Sequence, residues 1–540
     1  MIRALERIVP YLLLVPAVLP LLVIDGLLYP YLAAKSLLFR ADAILALAAV
    51  VTLALAGRPL FYDRLKAPLT WLPAVFLVWT YCASIFGVDF YHSFWSIFDR
   101  GDGLLTLTGI VAFFYLFLLY ADEALVTRLM RVIAVVATLV GVIALFQWVQ
   151  DLSGMDFPLI PEANGRIGST LGNAAFLASY LCMTFFVTLA VAPSLRPVWR
   201  NRAYAGALVQ MLAVVASATR GALLALVVAG FVFLVRESLK GRDTMRQYAR
   251  VGLVVLIVSA ALFLVFREQF ARIPFEPIQR VASISLSDAT VESRLFLWKA
   301  IGAESLESPL FGVGAEHVET LFNRVYDPTA LVEQWFDRSH NVYIDYLAQF
   351  GVLGLALFLA ILWLLAKRSY LMSQESDRTR AYMGTLFLYL VLVYVVQNFF
   401  VFDTAVTLWL LFVLCAIAYI GQDKRSTISL PRVPDMGAVS IGAIIALLVI
   451  PVSFMPLRAN LLLADGYLYH VSDIDRANES MRRGFALNTY ADLEYGYQLY
   501  EMYTDRQVRM LSGNERIQAF RLAEEVLSHN FARYPYDART

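Results

Sequence analysis

The chain has 540 residues, of which 60% are hydrophobic and only 16% are charged. This composition excludes an ordinary soluble protein, and the net charge of +1 gives no reason to expect nucleic acid as a partner. The cysteines Cys82, Cys182 and Cys415 all lie in apolar segments and indicate neither a disulfide framework nor a zinc site.

Apolar segments of about 16–24 residues recur along the chain, each close to the length that crosses a bilayer. We therefore predict an all-α polytopic integral membrane protein with about 12–13 transmembrane helices. The first segment follows a basic start but is longer than a signal core, so we expect an uncleaved membrane helix there. The predicted spans lie near residues 10–30, 42–57, 69–87, 104–120, 129–149, 171–192, 204–219, 221–235, 251–266, 343–365, 381–401, 404–420 and 437–455.

Basic residues indicate the orientation, because they collect in cytoplasmic connections. With a cytoplasmic N-terminus, every second connection is rich in arginine and lysine. The short outside loops hold only Lys35, Arg40, Arg100, Arg166 and Arg220. This asymmetry predicts that the large loop and the C-terminal segment both lie outside the cytoplasm.

The pattern divides the chain into four parts. We predict an N-terminal transmembrane bundle (1–266), a large loop (267–342), C-terminal transmembrane helices (343–455) and a soluble helical domain (456–540). The last part loosely resembles tetratricopeptide repeats and is expected to cap the protein or to bind a protein partner. The large loop is the expected place of the chemistry, because lipid-facing segments cannot easily carry charge.

Three residues near that loop are the main candidates. His340 stands just before a predicted membrane helix, where a neutral imidazole can accept a proton, although it could also cap the helix. Arg220 stands at the head of another helix, where a guanidinium suits phosphate oxygens or marks the membrane interface. Arg294 lies beside Trp298 on a predicted short amphipathic helix.

Four further residues are candidate substrate contacts. Arg100 lies in FDRGDGLL, Arg166 and Asn173 flank a glycine-rich turn, and Asn341 adjoins His340. Glycines in such a turn allow close approach to a phosphate, although a tight turn or a helix cap is the commoner role.

Metal-ligand spacing is not apparent in the sequence. The remaining histidines, His92, His317, His470 and His529, have no neighbour at such a spacing, so we predict no metal.

Four segments together resemble the O-antigen ligase and O-antigen polymerase superfamily. RSHNVYIDYLAQFGVLGLALFL resembles its HN-x-Y/L-L…GxxG signature, and ESRLFLWKAIGAESLESPLFGVG resembles its R-x-x-x-W…hP-hxGxG segment. ATRGALLAL and STLGNAAFLASYL resemble its SRGA-type and GNxNxhAxYL-type motifs. The chain departs from the family at Gln349, where many relatives carry Glu, and at Ala174-Ala175, where Asn-Pro or Pro-Asn is common.

The resemblance implies glycan transfer at the periplasmic face of a bacterial inner membrane. The donor would be a glycan on a polyprenyl (undecaprenyl) diphosphate, the acceptor a hydroxyl on a lipid, glycan or protein, and no cofactor or metal would be needed. It further implies that Arg220 and Arg294 hold the diphosphate and that His340 helps to activate the acceptor. The added C-terminal domain favours a protein or a growing polysaccharide over a lipid A core as acceptor.

Residue chemistry agrees with this reading and leaves alternatives open. Two guanidiniums can stabilise the charge that develops on a departing diphosphate. A base acting opposite the leaving group predicts inversion at the anomeric carbon. A polymerase of O-antigen or exopolysaccharide would share this donor chemistry, and a transporter or flippase of lipid-linked sugars is the alternative from another class.

Overall fold

The computed structural model describes all residues except 159, 162–164, 242, 274, 284–288, 328, 330–335, 421–426, 505–511 and 535–540. The described residues form helices joined by turns and loops, and the β pairing among them is an isolated bridge between Leu60 and Ile428. Eight helices in this part of the chain are long and apolar enough to cross a membrane, and three apolar helices are shorter. The predicted all-α, multi-pass membrane fold is thus confirmed.

The chain order of the helices is as follows. The first half contains α1 (Ile2–Leu12), α2 (Leu32–Leu55), α3 (Pro68–Ile85), α4 (Phe90–Trp95), α5 (Leu104–Tyr120), α6 (Glu123–Ser153), α7 (Ala174–Val191), α8 (Pro197–Ala216), α9 (Arg220–Lys240) and α10 (Asp243–Val265). The large loop contains α11 (Arg267–Ala271), α12 (Glu276–Ala282), α13 (Ala289–Glu304) and α14 (Val318–Arg324). The rest comprises α15 (Val342–Ser373), α16 (Arg378–Gln397), α17 (Ala405–Tyr419), α18 (Asp435–Leu447), α19 (Met455–Tyr469), α20 (Ile474–Phe485), α21 (Asp492–Thr504) and α22 (Gly513–Arg533).

The first predicted membrane helix, over residues 10–30, is wrong. Helix α1 ends at Leu12, and two short 3-10 turns, Val15–Ala17 and Leu19–Leu21, follow it. Prolines at positions 10, 16 and 20 explain the break, since each removes a backbone donor and crowds the preceding turn.

Two basic residues expected in an outside loop lie instead in α2, where both are buried. Lys35 Nζ donates to the carbonyls of Leu22 at 2.8 Å and Thr170 at 2.7 Å. Arg40 donates to the carbonyl of Gly101 at 2.8 Å. These charges satisfy carbonyls of irregular segments, which buried backbone oxygens require.

The predicted separation of two helices at Arg220 is confirmed. Helix α8 ends at Ala216, and α9 begins at Arg220 after a turn in which Ala218 has φ +50°. The two helices are therefore separate, and Arg220 stands at a helix start. Helix α10 packs against α9 and is otherwise almost wholly exposed. Only 6% of its most apolar stretch is buried inside the protein.

The large loop is joined to α15 by backbone hydrogen bonds near two glycines. Gly351 interrupts α15 with φ +67° and ψ −173°, and Gly312 in the loop has φ +69°. Across the break, Val313 N donates to the Ala348 carbonyl at 2.8 Å, and Val352 N donates to the Pro309 carbonyl at 2.8 Å. The loop thus supplies the hydrogen bonds that the broken helix lacks.

The C-terminal helices lie on the same face as the loop after α4. A helical run continues from Asp435 to Tyr469 and so passes the predicted domain boundary at 456. Tyr490 stacks on Trp95 with ring centroids 5.2 Å apart, and Leu28 N donates to Asn460 Oδ1 at 2.8 Å. The four-part domain division and the repeat-like character of α19–α22 stay predictions.

Candidate functional site

Four arginines line one cavity of about 820 Å³ between α9, α12 and α13. They are Arg166, from the loop before α7, Arg220 at the start of α9, Arg280 of α12 and Arg294 of α13. We call this space the arginine cavity. Like charges at this density repel one another, and an anionic ligand would offset that repulsion.

Helix α12 holds Arg220 in place. Arg220 Nε donates to the Arg280 carbonyl at 2.8 Å, and its Nη2 donates to Ser283 Oγ at 3.1 Å. The side chain of Arg280 forms an ion pair with Glu276, with Nε and Oε1 2.9 Å apart. The start of α9 adds positive potential from its unpaired backbone amides.

Helix α13 positions Arg294 between the cavity and the end of the loop. Arg294 Nη1 donates to the Phe400 carbonyl at 3.1 Å. One turn later, Trp298 Nε1 donates to the Ser339 carbonyl at 2.9 Å. Because Ser339 precedes His340, this second bond fixes α13 against the segment that carries the histidine.

Arg166 joins the group from the loop before α7. Its Nη2 donates to the Ser217 carbonyl at 3.0 Å and to Thr219 Oγ1 at 3.2 Å, while its buried Nε has no hydrogen-bond partner among the described residues. Burial, followed by the positive charge of Arg280, lowers the pKa of Arg166 to about 10. A donor of this kind is suited to an anionic ligand.

Apart from Thr219 and Gln397, the remaining walls of the arginine cavity are apolar. They include Leu223, Leu224 and Val227 of α9, Leu295 of α13 and Val401. A cavity lined by both guanidiniums and aliphatic side chains matches an anion attached to a hydrocarbon chain.

His340 lies beside this cavity in a constrained conformation. Its φ is +55°, which is uncommon for a residue with a side chain. Its ring packs against Phe336 and Phe402 with centroids 5.7 and 5.5 Å away. Burial and then the charge of Arg294 lower the pKa of His340 to about 4. The imidazole is therefore neutral near pH 7 and can accept a proton.

A layer of buried ion pairs lies next to His340. Arg100 pairs with Asp337, and Arg338 pairs with Glu316. Burial opposes ionisation of Asp337, but the charge and hydrogen bond of Arg100 outweigh it, so the pKa of Asp337 falls below its usual value. This carboxylate therefore stays ionised beside His340.

A second, small cavity of about 60 Å³ adjoins this layer. Its lining includes Asp102, Arg338, Asp345 and Asp403. Asp102 Oδ2, Asp345 Oδ2 and Arg338 Nε are buried and lack a hydrogen-bond partner among the described residues. Burial raises the pKa of Asp102 to about 7. The space can therefore receive hydroxyl groups or water, which donate to and accept from such groups.

The predicted site residues are only partly brought together. Arg220, Arg294 and Arg166 share the arginine cavity, and His340 lies within reach of the Arg294 charge. Arg100 lies outside that cavity, in the ion-pair layer.

The two predicted asparagines act as helix caps. Asn341 Oδ1 accepts from Tyr343 N at 3.0 Å at the start of α15. Asn173 Oδ1 accepts from Ala175 N at 2.8 Å at the start of α7. Substrate contact by these two side chains stays a prediction.

The sequence did not indicate Arg280, Asp337 or Arg338 as site residues. Arg280 and Glu276 show the i,i+4 spacing of an ordinary solvated helix, which conceals the cavity role. Asp337 and Arg338 stand within three residues of His340, and that proximity was the available signal.

The fold brings two of the remaining histidines together. His92 and His317 lie together with Glu319, with one donor atom of each within 4.8 Å of the others. His317 and Glu319 are two residues apart, whereas His92 is more than 200 residues away along the chain, so only the fold brings it to them. The absence of a metal stays a prediction.

One family model matches the part of the chain that holds most of these residues. Residues 205–359 match the family model described as O-Antigen ligase, a stretch that contains Arg220, Arg280, Arg294 and His340. A search of the curated proteins found no match to the chain. This match over residues 205–359 supports the predicted resemblance to the O-antigen ligase and polymerase superfamily.

Proposed function

We propose that this membrane protein transfers a glycan from a polyprenyl-diphosphate carrier to an acceptor hydroxyl at the periplasmic face of the inner membrane. The observation that carries the proposal is the set of four arginines that line a cavity with otherwise mainly apolar walls. A lipid diphosphate has the same division, with an anionic head and a hydrocarbon tail.

The arginines would bind the diphosphate and stabilise it as a leaving group. Guanidiniums bind phosphate oxygens through paired hydrogen bonds. Arg220 and Arg294 would hold the diphosphate, as the resemblance implies, and Arg166 and Arg280 would bind it with them. As the bond between the anomeric carbon and the diphosphate oxygen breaks, negative charge grows on that oxygen, and fixed positive groups lower the barrier.

The apolar walls would accommodate the polyprenyl chain. Leu223, Leu224 and Val227 lie on α9. Only 22% of the most apolar stretch of this helix is buried inside the protein. The carrier can therefore reach the cavity sideways from the bilayer, without leaving the hydrocarbon phase.

His340 would act as the general base. The acceptor hydroxyl attacks the anomeric carbon, its proton passes to the imidazole, and the lipid diphosphate departs from the opposite side, which gives inversion. The pKa of His340 is about 4, which makes it a weak base. The negative diphosphate would offset the charge of Arg294 and strengthen the base only when donor is bound.

The small polar cavity would receive hydroxyl groups of the acceptor sugar. Asp102, Asp345 and Arg338 each have a buried polar atom without a hydrogen-bond partner among the described residues, and hydroxyl groups of a glycan supply both donors and acceptors. The acceptor would then approach His340 from the side of the ion-pair layer, opposite the arginine cavity.

The test is donor consumption by purified protein supplied with a polyprenyl-diphosphate glycan and candidate acceptors. We expect wild type to be active and both Arg220→Ala and His340→Ala to be folded but at least about 100-fold slower, in line with the loss of a catalytic group. Arg250→Ala and His529→Ala alter exposed residues that do not line the arginine cavity, and serve as matched controls. If wild type leaves the donor untouched, or if the Arg220→Ala and His340→Ala variants remain active, transport of lipid-linked sugars is favoured instead.

The same donor chemistry serves a ligase and a polymerase. Glycan lengths in a deletion strain separate them: loss of long chains indicates a polymerase, and long chains left on the carrier indicate a ligase.

A further inference from the structure

A buried group of three side chains outside the arginine cavity has the composition of a metal site. His92 of α4, His317 just before α14 and Glu319 of α14 are all buried, and their donor atoms lie within 4.8 Å of one another. The rings of His92 and His317 have centroids 4.9 Å apart. The three come from two separate segments, the loop after α3 and the end of the large loop.

The surroundings of His317 accommodate a tautomer that can bind a metal ion. Its Nε2 lies 2.9 Å from the Asp89 carbonyl oxygen and 3.2 Å from the Asp89 amide nitrogen. In the tautomer with the proton on Nε2, that nitrogen donates to the carbonyl through the shorter contact. Nδ1 then has a lone pair. A metal-binding histidine commonly donates its other ring N–H to a carbonyl in this way.

The separation between His317 and Glu319 also favours a shared ion. His317 Nδ1 and Glu319 Oε1 are 3.4 Å apart. A direct charge-assisted hydrogen bond would be about 2.7–2.9 Å long. Two ligands that each lie about 2.0–2.1 Å from one tetrahedral zinc ion are roughly 3.3 Å apart. The observed distance agrees with the second arrangement.

We propose that His92, His317 and Glu319 bind a divalent transition-metal ion, with Zn²⁺ the best match to two imidazoles and a carboxylate. The site is independent of glycan transfer and is structural. It ties the segment around α4 to the large loop.

The proposed metal site would also stabilise the layer of buried ion pairs next to His340. Ser96 Oγ, near the end of α4, donates to Glu316 Oε2 at 2.8 Å, and Glu316 pairs with Arg338. Since Glu316 directly precedes His317, an ion bound there would fix both partners of this contact.

The test is the metal content of the full chain, purified in detergent without chelator and with a histidine-free affinity tag. By elemental mass spectrometry, we expect about one zinc per chain for wild type and for the control His529→Ala. His92→Ala and Glu319→Gln should each lower the zinc content at least about tenfold. Wild type free of transition metal after incubation with micromolar zinc, or variants that retain it fully, would overturn the proposal.

A second measurement covers the case in which a variant does not fold. Wild type stripped with EDTA should regain thermal stability when zinc is added, and cobalt should give the visible absorption of a tetrahedral site. If zinc leaves the unfolding midpoint unchanged and cobalt gives no such absorption, His317 and Glu319 form only a hydrogen-bonded pair, and the proposal fails.

Discussion

Replacing Gly351 by Ala should destabilise the whole junction between the large loop and α15. The added Cβ would lie 2.0 Å from the Leu310 carbonyl oxygen and 2.7 Å from that of Pro309, so the loop must move. The backbone at φ +67° and ψ −173° is also a conformation that essentially only glycine adopts.

The size of the effect follows from these contacts. Backbone strain of this kind costs about 1–3 kcal/mol. Moving the loop also breaks the three backbone hydrogen bonds made by Val313, Gly314 and Val352, each worth about 0.5–1.5 kcal/mol. Together the variant should lose roughly 3–7 kcal/mol of stability.

The assay is thermal unfolding in one detergent, followed by intrinsic fluorescence. Gly351→Ala should unfold at least about 3 °C below wild type. The matched control is Gly302→Ala, since a Cβ at Gly302 in α13 meets no atom within 4 Å. That variant should be unchanged or slightly more stable, because alanine is the better helix former. A Gly351→Ala midpoint within about 1 °C of wild type would refute the reasoning.

Other outcomes are expected at the proposed site and at the docked C-terminus. Arg280→Ala should lower kcat/KM for a lipid-diphosphate donor by about 10–100-fold, the loss of one charge-assisted hydrogen bond. The exposed Lys299, which does not line the cavity, should tolerate alanine within about twofold. Arg294→Gln removes a charge that lowers the pKa of His340, so the acid limb of the kcat/KM profile should move to higher pH; an unmoved limb would exclude His340 as the titrating base. Trp95→Ala removes the ring on which the C-terminal helices stack and should speed their release in limited proteolysis, whereas an unchanged cleavage rate would show that this stacking is dispensable.

The sequence was sufficient for the fold class because lipid imposes a simple rule. Long apolar segments must form helices, and the break at Arg220 marked two helices correctly. The same rule failed at residues 10–30, where three prolines interrupt an equally apolar segment. It also misplaced Lys35 and Arg40, because buried charges that bind backbone carbonyls resemble loop charges in a hydropathy pattern.

Part of the candidate site could be predicted because its residues stand in short motifs. Arg220, Arg294 and His340 were accessible in this way. Arg280 was not, since its role depends on how α12 packs over the start of α9. The group of His92, His317 and Glu319 was hidden for the same reason, because its spacing exists only in the folded chain.

The sparse packing of α9 and α10 makes the bilayer itself one support of the arginine cavity. The 21 residues of α9 form a helix about 32 Å long, close to the hydrocarbon thickness of a membrane. A thinner or thicker bilayer changes the tilt of such a helix by hydrophobic mismatch. Since α9 carries one wall of the cavity, we expect the acyl chain length of the surrounding phospholipids to alter its width. Lipid composition would then act as a control on donor binding, without any regulatory ligand.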